Sequence, residues 1–93
     1  MFKIPRVNVI ESDQGFSVEV VGRTGLRYKA HGMVVTIDSE VLAGPSALVV
    51  YTDSIQHWDV PNEGILIDNG VRREIIENIR EAFRFRGLEI LIQ

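Results

Sequence analysis

The stretch from Asp68 to Gln93 most constrains the fold, because it contains the chain's one long amphipathic pattern. Apolar residues recur at helical spacing and charged residues occupy the other positions. The apolar positions are Val71, Ile75, Ile76, Ile79, Ala82 and Phe83. Asp68 or Asn69 can accept backbone N–H bonds at the start of a helix, and Gly87 suits its C-terminal end. The stretch therefore predicts a long helix with one buried face, followed by a strand containing Leu88, Ile90 and Ile92.

The rest of the chain shows strand patterns separated by turn residues. Strands are predicted near 3–11, 16–23, 26–31, 33–42 and 47–52, with turns at 11–15, at 22–25, at His31-Gly32 and at 43–46. Pro5 cannot donate to a strand ladder, so it suits a strand start or an edge strand. The predicted fold is α+β: an antiparallel sheet of about five to six strands, with the long C-terminal helix packed on one face and then a final strand.

Length and composition limit the classes of protein that the chain can belong to. Its 93 residues predict one domain, residues 1–93. There are no cysteines, which excludes disulfides, thiolate zinc sites and cysteine nucleophiles. No secretory signal is visible and no apolar run approaches the ~20 residues of a membrane span. We therefore expect a cytoplasmic protein that does not enter a membrane.

The charge is distributed unevenly along the chain. The net charge is −3, but residues 30–71 contain no Lys or Arg. The acids in that span are Asp38, Glu40, Asp53, Asp59, Glu63 and Asp68. Two interpretations stay open: solvated turns that keep a small domain in solution, or a surface that attracts a basic protein partner.

Residue types with possible catalytic or metal-binding roles gather near Asp53, Ser54, His57 and Asp59. Their spacing matches no zinc or calcium motif, and no nucleophile elbow is present. We therefore expect no catalytic residues, no metal site and no cofactor. A small enzyme or ligand-binding domain stays open as a third hypothesis, which would require Asp53, His57 and Asp59 to converge in a pocket.

Two further features have competing interpretations. The helix arginines are interleaved with glutamates, which indicates a solvated face rather than a nucleic-acid site, since phosphate binding requires clustered positive charge. Trp58, the single tryptophan, lies in a polar loop. It is either an anchor that packs the loop onto the core or a hot spot in an interface.

Three stretches resemble a known family: VGRTGLRY at 21–28, IDSEVLAGPSALVVYTDSIQHW at 37–58 and IIENIREAFRFRGLEI at 75–90. Together they are similar to small bacterial immunity proteins of polymorphic toxin systems. The matching features are the DSEVLAG turn, the segment with Tyr51, Ser54, Ile55 and Trp58, and the helix end from Ile79 to Gly87. The resemblance implies a protein that binds and blocks a toxin encoded by a neighbouring gene, and it includes no catalytic motif.

The leading hypothesis is a non-enzymatic toxin-neutralising immunity protein whose acidic middle segment meets a basic toxin surface. The predicted partner-binding residues are Asp38, Glu40, Asp53, Trp58, Asp59 and Glu63. The alternative is a structural or adaptor domain that forms a homodimer, through an edge strand or through the strand at 47–51, whose residues are apolar on both faces.

Overall fold

Seven strands, one long helix and one short 3-10 helix make up the computed structural model, which describes residues 1–42 and 46–93. The strands are β1 (Phe2–Arg6), β2 (Val9–Ser12), β3 (Phe16–Val21), β4 (Gly25–Ala30), β5 (Met33–Val41), β6 (Ser46–Val50) and β7 (Glu89–Ile92). The short 3-10 helix is Thr52–Ser54 and the long helix α1 is Asn69–Phe85. The α+β prediction is confirmed. Positions 43–45 of the turn predicted at 43–46 lie outside the described residues.

The strands lie side by side in chain order, from β1 to β7. Neighbours from β1 to β6 are antiparallel, whereas β7 is parallel to β6, since the chain crosses α1 before it returns to the sheet. Pro5 lies in β1, which is an edge strand as predicted. Lys3 and Arg6 in the same strand add charge to that edge, and charge and proline both discourage pairing with another chain.

The single strand predicted near 3–11 is wrong, because the chain turns back at Val7-Asn8 and forms the β1–β2 hairpin. Neither turn residue has a positive φ and neither is a glycine. Asn8 holds the turn from its side chain, whose Nδ2 donates to the Val20 carbonyl oxygen at 3.3 Å. The sheet therefore has seven strands where the predicted segments numbered six. By contrast, the predicted His31-Gly32 turn is present, with φ of 57° and 74° at its two residues.

The core lies between α1 and the inner face of the sheet. The helix buries Ile75, Ile79, Ala82 and Phe83, as its spacing predicted, while Val71 and Ile76 pack at the margin of the core. Asp68 caps the helix, since its Oδ1 accepts from the Val71 amide at 2.9 Å. Gly87, with φ of 77°, ends the helix and turns the chain into β7. In the part of the chain that is described, no helix has both the length and the apolar character that membrane crossing requires.

Candidate partner-binding surface

Strand β5 has one buried face and one exposed face. Val35, Ile37 and Ser39 are buried, whereas Thr36, Asp38 and Glu40 alternate with them on the solvent side. Side chains two residues apart on a strand are roughly 6.6–6.8 Å apart along it. The exposed face of β5 thus presents two carboxylates in a row. We call this face, together with the segment 51–59 that lies against it, the acidic face.

Segment 51–59 is fixed to the edge of β5 by backbone and side-chain hydrogen bonds. The Tyr51 amide donates to the Asp38 carbonyl oxygen at 3.0 Å, and the Asp59 amide donates to the Val34 carbonyl oxygen at 2.7 Å. Between these points, the Ser54 hydroxyl accepts from the Asp38 amide at 2.9 Å. The segment therefore occupies the part of the β5 edge that β6 does not cover, and it adds Asp53 and Asp59 to the surface of Asp38 and Glu40.

Tyr51 and Glu40 form a direct contact on the acidic face. The Tyr51 hydroxyl donates to Glu40 Oε2 at 2.8 Å, and both side chains are accessible to solvent. This hydrogen bond to a carboxylate raises the pKa of the Tyr51 phenol above its ordinary value of 10.0. The contact orients the Glu40 carboxylate and places the Tyr51 ring beside it.

Asp59 has a structural role within this surface. Its carboxylate accepts from the Thr36 hydroxyl at 2.6 Å through Oδ2 and from the Thr36 amide at 3.3 Å through Oδ1. The Asp59 side chain thereby takes the place of a neighbouring strand as the acceptor for the Thr36 amide. Asp59 therefore contributes both charge and fold stability.

The acids from Asp38 to Asp68 take part in none of the ion pairs found among residues 1–42 and 46–93. The four pairs in that set join the N-terminal amine to Asp13, Arg27 to Glu19, Arg80 to Glu77 and Arg84 to Glu89. The basic residues nearest in register lie on β4, where Arg27 is opposite Thr36 and Lys29 is opposite Val34. The Arg27 guanidinium is 3.2 Å from Glu19 Oε1 and so is directed toward β3.

The remaining predicted partner-binding residues lie in different environments. Asp53 and Glu63 are exposed. Trp58 is 4% exposed and belongs to the core together with Ile55 and Ile67. Its position corresponds to the anchor interpretation, since a buried ring offers no contact area to a partner. The acidic face therefore contains Asp38, Glu40, Asp53 and Asp59, and Glu63 lies farther along the same loop.

Asp53, His57 and Asp59 do not converge. Asp59 is directed at Thr36, His57 pairs with Leu66 in an isolated antiparallel bridge, and Asp53 lies on the short 3-10 helix. Within the described part of the chain, no three His, Asp or Glu side chains are close enough together to hold a metal ion. The arrangement required by the small-enzyme hypothesis is therefore not present.

The strand proposed for self-association is largely internal. Leu48, Val49 and Val50 are buried between β5 and β7, which matches the interior-strand interpretation of that apolar run. Their side chains offer no exposed apolar surface through which a second copy could bind.

Arg72 has a structural role in positioning the loop that sequence reasoning missed. Its Nε donates to the Ile55 carbonyl oxygen at 2.7 Å and its Nη2 to the Ile67 carbonyl oxygen at 3.2 Å, while Nη1 donates to Asn69 Oδ1. The guanidinium therefore joins the first turn of α1 to both ends of the loop 55–67. The pattern of charges on the helix gave no signal for this, because Arg72 and the exposed Arg73 look alike in sequence.

The comparisons with known proteins give one match. Residues 17–93 match the family model described as Immunity protein 74. No curated protein and no solved structure matches the chain. The match runs from the second residue of β3 to the last residue, so it includes β5, the acidic face and α1. The chain belongs to the Immunity protein 74 family, an immunity protein family of polymorphic toxin systems.

Proposed function

We propose that this protein binds and neutralises a cognate bacterial toxin through its acidic face, without catalysis of its own. The observation that carries the proposal is the family match over residues 17–93. Immunity proteins act by binding, so this chain requires a surface that is suited to a protein partner. The acidic face supports one answer, since its carboxylates face solvent without a cationic partner of their own in the described residues.

The electrostatics of that face favour a basic partner surface. Asp38, Glu40 and Asp53 are like charges on β5 and on the segment along its edge, which makes the local potential more negative and steers a positively charged protein toward it. The Tyr51 hydroxyl donates to Glu40 and the Ser54 hydroxyl accepts from the Asp38 amide, and these two bonds restrict the conformations of the surface. A preordered surface loses less entropy on binding than a flexible one.

Co-expression with the toxin domain encoded beside this gene tests the proposed function. We expect cells that produce the toxin domain to survive when this protein is present, and we expect the two purified proteins to elute together in gel filtration. Circular dichroism must show that the protein is folded in each preparation. A folded protein that neither protects the cells nor elutes with the toxin domain would contradict the proposal.

A further inference from the structure

The loop between the short 3-10 helix and α1 forms a small hairpin with a defined tip. The Trp58 amide donates to the Ile65 carbonyl oxygen at 3.3 Å and the Ile67 amide donates to the Gln56 carbonyl oxygen at 2.9 Å. Two further bonds close the tip, from the Asn62 amide to the Asp59 carbonyl oxygen at 2.8 Å and from the Ile65 amide to the Asn62 carbonyl oxygen at 2.9 Å. We call residues 59–66 the hairpin tip.

The hairpin tip exposes large apolar side chains. Val60 and Leu66 are each 78% exposed and Ile65 is 48% exposed. Val21, Val41 and Leu91 lie singly on other strands, whereas Met1, Ile4 and Val7 lie on and beside the edge strand β1, which carries Lys3 and Arg6. Isolated apolar residues are ordinary on a protein surface, whereas several in one short segment mark an interaction site.

The base of the hairpin holds the tip in place. Trp58 and Ile67 are buried in the core on either side of it, and Arg72 donates to the Ile67 carbonyl oxygen. The exposed side chains therefore belong to a segment anchored at both ends, so that binding would order few additional residues.

The charges around the tip indicate which kind of surface it meets. Glu63 lies in the tip and Asp59 at its start, and the tip itself contains no Lys or Arg. The Arg72 guanidinium, at the base of the hairpin, is directed at the Ile55 and Ile67 carbonyl oxygens and at Asn69 Oδ1. Acids around an apolar centre repel an anionic bilayer and repel the same acids on a second copy of the chain. They complement a protein with basic side chains around an apolar cleft.

We propose that the hairpin tip is an apolar anchor: Val60, Ile65 and Leu66 insert into an apolar cleft of the partner protein while the surrounding acids meet its basic rim. This inference rests on the proposed function and names the part of the surface that determines how long the complex lasts. A central apolar cluster surrounded by polar residues is the usual organisation of binding hot spots. Loss of such an anchor acts mainly on the dissociation rate, whereas the acidic face acts mainly on association.

The test compares the unchanged protein with a Val60→Ser, Leu66→Ser double variant, using the toxin domain encoded beside the gene as the probe in surface plasmon resonance. We expect at least about tenfold weaker binding, mostly through faster dissociation. Val7→Ser is the matched control, because Val7 is 84% exposed at the β1–β2 turn, and it should bind like the unchanged protein. The substituted side chains are already exposed, so each variant should unfold at the same midpoint as the unchanged protein.

The other outcomes separate this inference from the proposed function. Normal dissociation of the double variant would overturn the anchor and leave toxin binding intact. Light scattering tests for self-association. If the unchanged protein is a dimer and the double variant is a monomer, the tip binds a second copy and the inference is overturned. Vesicles of zwitterionic lipid that bind the unchanged protein but not the variant would assign it to a membrane, with the same consequence. Failure of the unchanged protein to bind the toxin domain would contradict the proposed function itself.

Discussion

The Arg72 Nε lies 2.7 Å from the carbonyl oxygen of Ile55. This hydrogen bond joins the first turn of the helix to the loop that carries the hairpin tip. A charged donor on a partly buried backbone acceptor contributes more than a neutral hydrogen bond. The orientation of the loop thus depends on a residue that lies outside it.

Replacing Arg72 by alanine should lower the free energy of unfolding by about 1–3 kcal/mol, because two loop carbonyl groups lose their donor. Urea unfolding measures the change, and faster hydrogen exchange at the Trp58 and Ile67 amides would place it in the loop. Arg73→Ala, an exposed position on the same helix turn, is the control and should change stability by less than about 0.5 kcal/mol. Equal effects of the two substitutions would contradict the role given to Arg72.

The Thr36–Asp59 contact should contribute to stability and not only to charge. Asp59→Ala and Thr36→Val should each cost about 1–2 kcal/mol, since each removes the bond between the Thr36 hydroxyl and the Asp59 carboxylate. Because both remove the same interaction, the double variant should cost less than the sum of the two. Asp53→Ala, an exposed acid in the same segment, is the control for lost charge. If the stability lost in the double variant equals the sum of the losses in the two single variants, the contact contributes nothing.

The buried tyrosine should make the fold sensitive to alkaline pH. Burial raises the pKa of the Tyr28 phenol above its ordinary value of 10.0, and a hydrogen bond from Asn78 opposes part of that effect. The folded protein therefore holds this proton more tightly than the unfolded chain does. The resulting stabilisation is fully present below pH 10.0 and is lost as the pH rises through the folded-state pKa.

Urea unfolding across this pH range measures the effect. Tyr28→Phe should be less stable near neutral pH by about 0.5–1.5 kcal/mol, because the Asn78 amide loses its acceptor, and its stability should fall less steeply above pH 10.0. An equally steep alkaline fall in Tyr28→Phe and the unchanged protein would contradict the assignment.

The elements with strong local signals could be predicted from the sequence. The spacing of Ile75, Ile79 and Phe83 predicted the buried helix face, and Gly87 predicted the end of the helix. Asp68 and Asn69 were both candidates for the cap, and Asp68 is the residue that caps. Each depends on residues that are close in the chain, so pattern and propensity determine them together. The parallel pairing of β7 with β6 follows from the return of the chain after the helix.

The features that were not predictable depend on contacts between distant residues. The Val7-Asn8 turn contains no glycine or positive φ, and its Asn8 side chain reaches across to Val20. Segment 51–59 lies on the β5 edge through Asp38 and Val34, which no local pattern indicates. Of the predicted partner-binding set, the fold brings Asp38, Glu40, Asp53 and Asp59 to one face but places Trp58 in the core.

The rate at which the protein associates with the cognate toxin domain that the proposed function assigns to it tests the central claim most directly. It is measured by stopped flow at low and high salt. The test variant carries Asp38→Asn, Glu40→Gln and Asp53→Asn. The control carries Glu11→Gln, Glu74→Gln and Glu81→Gln, which changes the net charge equally at exposed positions outside the acidic face. We predict that the test variant associates about tenfold more slowly at low salt and depends less on salt, while the control stays within about twofold. Equal rates for the two variants would contradict the account.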